Sequence, residues 1–224
     1  MKTYKLENSL DLKEVGVYPQ IQEFSLSYPI KQKPYFYQGE DGRFDESIEF
    51  PVYKMMNKAK LTDLISNVPL VDNLMISSKC FKLFQNLKLP EYQIFPLKFE
   101  YKRNLIEDYL AFSIVKDIRF FNYISWEKSR FYKTLNYHKI IIEEYSLNSV
   151  DEVIKMQKEF RDSEFGLKTE IVLKYNNNYD IINFRRHPMS IGFICSELAK
   201  EEIQNAGLSG LDFVEISPEL FIQK

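Results

Sequence analysis

The spacing of apolar positions changes several times along the chain, and each change marks an element. "LMIS", Leu74 to Ser77, is a continuous apolar run that ends on two serines, Ser77 and Ser78. Beyond them Cys80, Phe81, Phe84 and Leu87 recur three or four residues apart, the spacing of one helical face. A serine hydroxyl at such a start accepts a hydrogen bond from first-turn amides that have no partner inside the helix. Pro90 stops the pattern, and "YQIFPLKFEY" then alternates like a half-buried strand. "EDYLAFSIVKDIRFFNYIS" continues with apolar and aromatic strand character, and "KIIIEEYSL" reads as a further strand.

Ser149 opens "SVDEVIKMQKEFRD", where Val150, Val153, Ile154 and Gln157 trace a helical face and Asp151 and Glu152 suit its positive N-terminal end. "LKTEIVLKYNNNYDIINF" predicts a hairpin, two β-rich runs around Asn176–Asn178. The closing stretch predicts a strand over Ile191–Cys195, a cap at Ser196, and a helix carrying Leu198, Ala199, Glu202 and Ile203. A left-handed stop at Gly207 and a turn at Gly210 then lead into "LDFVEI". The first seventy residues are punctuated by Pro19, Pro29, Pro34, Pro51 and Pro69 and predict short strands and loops, with a tight turn at "GEDGRF". A brief helix is expected at "LTDLISNV", capped by Thr62.

"ISSKCFKLFQNLKLPEYQIFPL" and "ICSELAKEEIQNAGLSGLDFVEI" run in the same order: apolar, serine, amphipathic helix, leucine-containing break, apolar strand, with a small length offset. Either two capped helix–strand units are alike by chance, or they are pseudo-equivalent halves packing a shared sheet. The expected fold class is α+β, with mixed or antiparallel sheets, several short helices and room for two subdomains. The expected division is an irregular strand and loop region over 1–70 and an α+β domain with two serine-capped helix–strand units over 71–224.

Composition narrows the partners. Thirty basic against 32 acidic residues, a net charge of −2, lack the basic field of a general nucleic-acid binder. The start, "MKTYKLENSLDLKE", has no apolar signal region, and no stretch approaches the roughly 20 apolar residues of a membrane helix, so a cytoplasmic protein is expected. Eighteen Phe and 15 Tyr supply abundant ring surface for a core or a binding face.

Reactive chemistry is sparse. Cys80 and Cys195 both sit in apolar patterns and read as buried reduced thiols. His138 and His187 are the only histidines, and no H-x-x-x-H, H-E-x-x-H or C-x-x-C spacing occurs, so no metal and no cofactor is expected. A dyad of Cys195 with either histidine needs the fold to bring the partners together. Gly207 and Gly210 follow a helix instead of opening one, which disfavours nucleotide binding. Arg185, Arg186 and His187 make a small basic group, either a solvated turn or a contact for an acidic surface. Glu197, Glu201, Glu202, Asp212, Glu215 and Glu219 make the C-terminal region acidic, either a soluble face or a mimic of phosphates. Tyr35, Phe36, Tyr37 and Arg43 in "YPIKQKPYFYQGEDGRF" fit a core or the anchor cluster of an interface.

Three segments carry a family resemblance. They are "MISSKCFKLFQNLKL…YQIFPLKF", "EDYLAFSIVKDIRFFNYISWEKSRF" and the terminal "ICSELAKEEIQNAGLSGLDFVEI". Their order resembles a bacterial immunity-protein domain family of polymorphic toxin systems, first catalogued as a domain of unknown function typified by a myxobacterial protein. The likeness spans about residues 70–217; the acidic position usual in the middle segment stands here as "FFNYIS", around Asn122. The resemblance implies a protein that binds and silences the C-terminal toxin domain encoded beside it, by occlusion and without catalytic residues. Its partner would be that protein domain, not nucleic acid or membrane. Tyr35, Phe36, Tyr37, Arg43, Arg185 and Arg186 are the residues expected to meet it. Two other readings stay open: a small-molecule enzyme using a Cys/His or Tyr/Arg pocket, and a regulatory or scaffolding module.

Overall fold

The computed structural model describes residues 2–27, 43–68, 73–115, 123–135, 140–160, 163–172, 179–184, 192–216 and 221–222. In chain order these form β1 (Thr3–Asn8), α1 (Leu12–Val15), β2 (Ile21–Phe24), β3 (Tyr53–Met55), β4 (Leu64–Ile65), β5 (Leu74–Ser77), α2 (Ser78–Phe84), β6 (Tyr92–Tyr101) and β7 (Asn104–Ile114). There follow β8 (Arg130–Leu135), β9 (Ile140–Tyr145), α3 (Val150–Phe160), β10 (Phe165–Ile171), β11 (Ile181–Asn183), β12 (Phe193–Ser196), α4 (Glu197–Asn205), β13 (Leu211–Ile216) and β14 (Phe221–Ile222). The fold is α+β. Among the described residues it has three sheets, antiparallel except where β3 runs parallel to β6.

Two of the sheets contain the same unit. The order β4–β5–β7–β6 in one matches β11–β12–β1–β13 in the other, with every neighbour antiparallel. Ser77 lies beside Tyr109 and Tyr109 beside Leu97; Ser196 lies beside Thr3 and Thr3 beside Ile216. Aligned on their cap serines, residues 76–97 and 195–216 therefore correspond without a gap. Gln85–Asn86 stand for Gln204–Asn205, and Leu89 for Leu208. The length offset expected from the sequence is absent, and the units build two sheets instead of sharing one. What they share is a core, in which Ile76, Cys80, Phe84 and Phe112 meet Ile194, Cys195, Ala199 and Ile203.

Connectivity separates the units. β7 follows β6 through Lys102 and Arg103, both with positive φ (50° and 67°). The same slot in the second unit is filled by β1, the first strand of the chain. Strands from before and after residue 70 thus lie side by side in both sheets. The first sheet is widened by β3 and β2, under which Phe44, Tyr53, Phe95 and Phe99 form a second apolar cluster. The third sheet, ordered β14–β10–β8–β9, comes between the units in sequence, with α3 packed on β10. Phe131 of β8, Val153 of α3 and Ile171 of β10 join the shared core.

Two sequence expectations change. No helix forms at 61–68: Leu64–Ile65 is β4, and the Thr62 hydroxyl donates to the Leu64 carbonyl (2.7 Å) instead of capping a helix. Pairing with β5 overrides the local pattern. The expected hairpin also dissolves, because β10 pairs with β8 and β14 while β11 pairs with β12. Adjacent strands in sequence enter different sheets, a choice that alternation of residues cannot encode. The Asn176–Asn178 turn lies outside the described residues.

Candidate functional site

Of the residues expected to meet a partner, Arg43 alone lies among the described ones; Tyr35, Phe36, Tyr37, Arg185 and Arg186 fall outside them, as do His138 and His187. Arg43 pairs with Glu91 at 2.6 Å, both side chains about half exposed, at the start of β6. Next to it the Phe44 backbone is pinned by the Gln93 side chain: its N–H donates to Gln93 Oε1 (2.8 Å) and its carbonyl accepts from Gln93 Nε2 (3.0 Å). The buried Phe44 ring packs edge-on against Phe50 and Phe95. Arg43 and Phe44 are thus held against the start of β6.

Two aspartates hold the cap serines of α2 and α4. The Ser77 hydroxyl donates to Asp63 Oδ1 (2.7 Å) while accepting from the Cys80 amide (3.0 Å). The Ser196 hydroxyl donates to Asp180 Oδ1 (2.9 Å) while accepting from the Ala199 amide (3.0 Å). Each aspartate then reaches the opposite unit. Asp63 Oδ2 accepts from the Ser209 amide and hydroxyl (2.9 and 3.1 Å), and Asp180 Oδ2 accepts from the Lys88 amide (2.8 Å). Every hydroxyl proton and lone pair named here is engaged in capping or cross-linking, so these Ser–Asp pairs staple the units together.

Cys195 sits on β12 between Tyr4 and Ile181, fully buried, and Cys80 is equally buried on α2. Burial pushes the Cys195 thiol up to about 12, against a partial opposing pull from Lys200. It raises Cys80 as well, with the Asp63 charge adding to the rise. Both remain protonated thiols at neutral pH, in keeping with a packing role. Among the described residues no cluster of His, Cys, Asp and Glu is placed to hold a metal ion, and no helix is long and apolar enough to cross a membrane.

Among the described residues, β9 presents a run of exposed apolar side chains. Its residues Ile140, Ile141 and Ile142 are 49%, 52% and 48% exposed, and Glu143 and Glu144 follow them in the open. β9 is an outer strand of its sheet: among the described residues it pairs with β8 alone, and none of them pairs with its other edge. The register slips between Lys133 and Thr134, so Ile142 is the extra residue of a bulge. Glu144 is held by Arg130 (3.1 Å), and Glu143 accepts from the Tyr145 hydroxyl (2.5 Å). The arrangement can take an added strand, whose backbone would pair with β9 and whose apolar side chains would cover the isoleucines. The sequence announces the strand, but three isoleucines read equally as core.

Searches of protein-family models find none that matches this chain, and no curated protein matches it significantly.

Proposed function

We propose that this chain is an immunity-type binding protein, which neutralises a cognate bacterial toxin domain by occluding it and performs no chemistry of its own. The order of serine-capped helix–strand segments, with its resemblance to immunity domains of polymorphic toxin systems, supports the reading. The observation that carries it is the outer edge of β9. A half-exposed Ile140–Ile142 run beside Glu143 and Glu144 is costly to leave in water, and strand addition by a protein partner would cover it. A partner strand bearing a lysine or arginine opposite Glu143 would match its charge. On this reading the protein works in the cytoplasm of the cell that makes the toxin.

The test is co-expression with the C-terminal domain encoded by the neighbouring reading frame. Cells that die with the toxin domain alone should survive when this chain is present. Death in both cases removes the proposal.

A further inference from the structure

The two units differ where the helix meets the strand that follows it, and the difference opens a cleft. In the first unit four rings fill that junction. Phe112 lies 5.4 Å from Phe84 and 5.3 Å from Tyr92 between ring centroids, and Phe81 stands edge-on to Tyr92 at 6.1 Å. By the gapless correspondence, Phe81, Phe84, Tyr92 and Phe112 map onto Lys200, Ile203, Leu211 and Leu6. Every ring is replaced by a side chain without one. In the second unit the space between α4 and β13 is a cleft of about 530 Å³ lined by Lys200, Ile203, Leu208 and Leu211 with Gln204, Asp212 and Phe213. Three of the four replacements form its walls.

The walls carry a chemistry as well as a shape. Leu208 lines its edge while Ile203 and Leu211 lie almost wholly buried beneath it, so the exposed walls are mostly polar. The Lys200 ammonium lies 4.0 Å from the centre of the Tyr4 ring, so the cation at this wall already engages one aromatic face. Gln204 and Asp212 supply polar groups able to accept from a phenol hydroxyl. Asp212 also faces the N-terminal segment, where it accepts from the Leu10 amide (3.3 Å).

We propose that the cleft between α4 and β13 is a binding site for an aromatic side chain, tyrosine by preference, presented by a protein partner. The guest ring takes the place that Phe81 and Tyr92 fill from within in the first unit. Assigning the guest to a toxin domain rests on the function proposed above; the cleft's preference for a ring does not.

The experiment separates the two. The full chain, labelled on its methyl and amide groups, is titrated with N-acetyl-L-tyrosinamide and followed by nuclear magnetic resonance. Saturable shifts are expected at Lys200, Ile203, Leu208 and Leu211, with N-acetyl-L-leucinamide binding about threefold or more weaker. The double variant Lys200→Phe with Leu211→Tyr, which copies the first unit, should lose the response at an unchanged melting temperature; Lys200→Phe alone serves if the pair does not fold. Absence of saturable shifts in the wild-type chain, shifts confined elsewhere, or a filled variant that still responds overturns the proposal. If tyrosinamide binds as expected while co-expression gives no protection, the cleft stands and the toxin assignment falls.

Discussion

The Ser196 hydroxyl donates to Asp180 across 2.9 Å while it caps α4, and Ser77 and Asp63 repeat the arrangement at 2.7 Å in the other unit. One short side chain thus satisfies a helix start and a buried carboxylate together, and the carboxylate ties down the opposite unit.

Ser196→Ala removes the cap and strips Asp180 of a donor inside the protein. The expected loss is about 1–3 kcal/mol in urea unfolding. Ser78→Ala, one residue beyond the equivalent cap, should stay within about 0.5 kcal/mol, because its hydroxyl comes no closer than 3.5 Å to the Asp108 carbonyl. Equal losses for the two variants would contradict the assignment of the cap.

Gly207 and Gly210 both have positive φ, 60° and 80°, but their surroundings differ. Gly207 closes α4: its amide donates to Gln204 (3.0 Å), the Leu208 amide reaches back to Ile203 (3.4 Å), and a Cβ there would meet open space. Gly207→Val should cost about 1 kcal/mol or more from backbone strain. At Gly210 a Cβ would fall 2.3 Å from the Leu64 carbonyl oxygen and 2.7 Å from the Thr62 hydroxyl. Gly210→Ala should therefore cost about 1–3 kcal/mol more than Gly207→Val. Thermal unfolding of the two variants decides the order.

These local devices were legible in the sequence because each is written within a few residues. The serine before an apolar helical face, the glycine after it and the leucine beyond define α4 without reference to anything distant. The similar patterns opened by Ser77 and Ser196 also showed, but whether they marked chance likeness or equivalent units took the strand register to decide. Partner choice was not legible. The run from Leu167 to Phe184 looks like a hairpin until β10 and β11 enter different sheets, and "LTDLISNV" looks helical until β5 claims Leu64 and Ile65. The exposed site was hidden for a related reason. "IIIEEY" has the composition of a buried strand, and only the sheet order places it at an edge. The cleft was invisible too, since it arises from comparing Lys200 with Phe81 once the register is known.

The thiols give a dependence on pH. Burial holds Cys195 near 12 in the fold, against an ordinary value of 9.0, so the folded chain keeps a proton that the unfolded chain releases. That contribution is complete below pH 9 and is lost as pH rises towards 12. Cys80 shifts in the same direction. The native protein should resist a disulfide reagent at pH 8 and react at both cysteines in denaturant. Rapid modification of the native chain would show that the thiols are not enclosed.

Ile141 is half exposed on the outer strand, so Ile141→Lys should change stability by no more than about 0.5 kcal/mol. It places a charge where an added strand would bury an apolar side chain. Protection in co-expression should fall while the melting temperature holds. Full protection by the variant would move the interface away from β9.

The most direct measurement is calorimetric titration of the purified chain with the toxin domain of the neighbouring reading frame, rendered inactive for handling. The expected result is a saturable one-to-one complex that Ile141→Lys weakens about tenfold or more, as loss of a central apolar contact would. No complex with the wild-type chain, or one that is as tight with Ile141→Lys, would contradict a partner strand on β9.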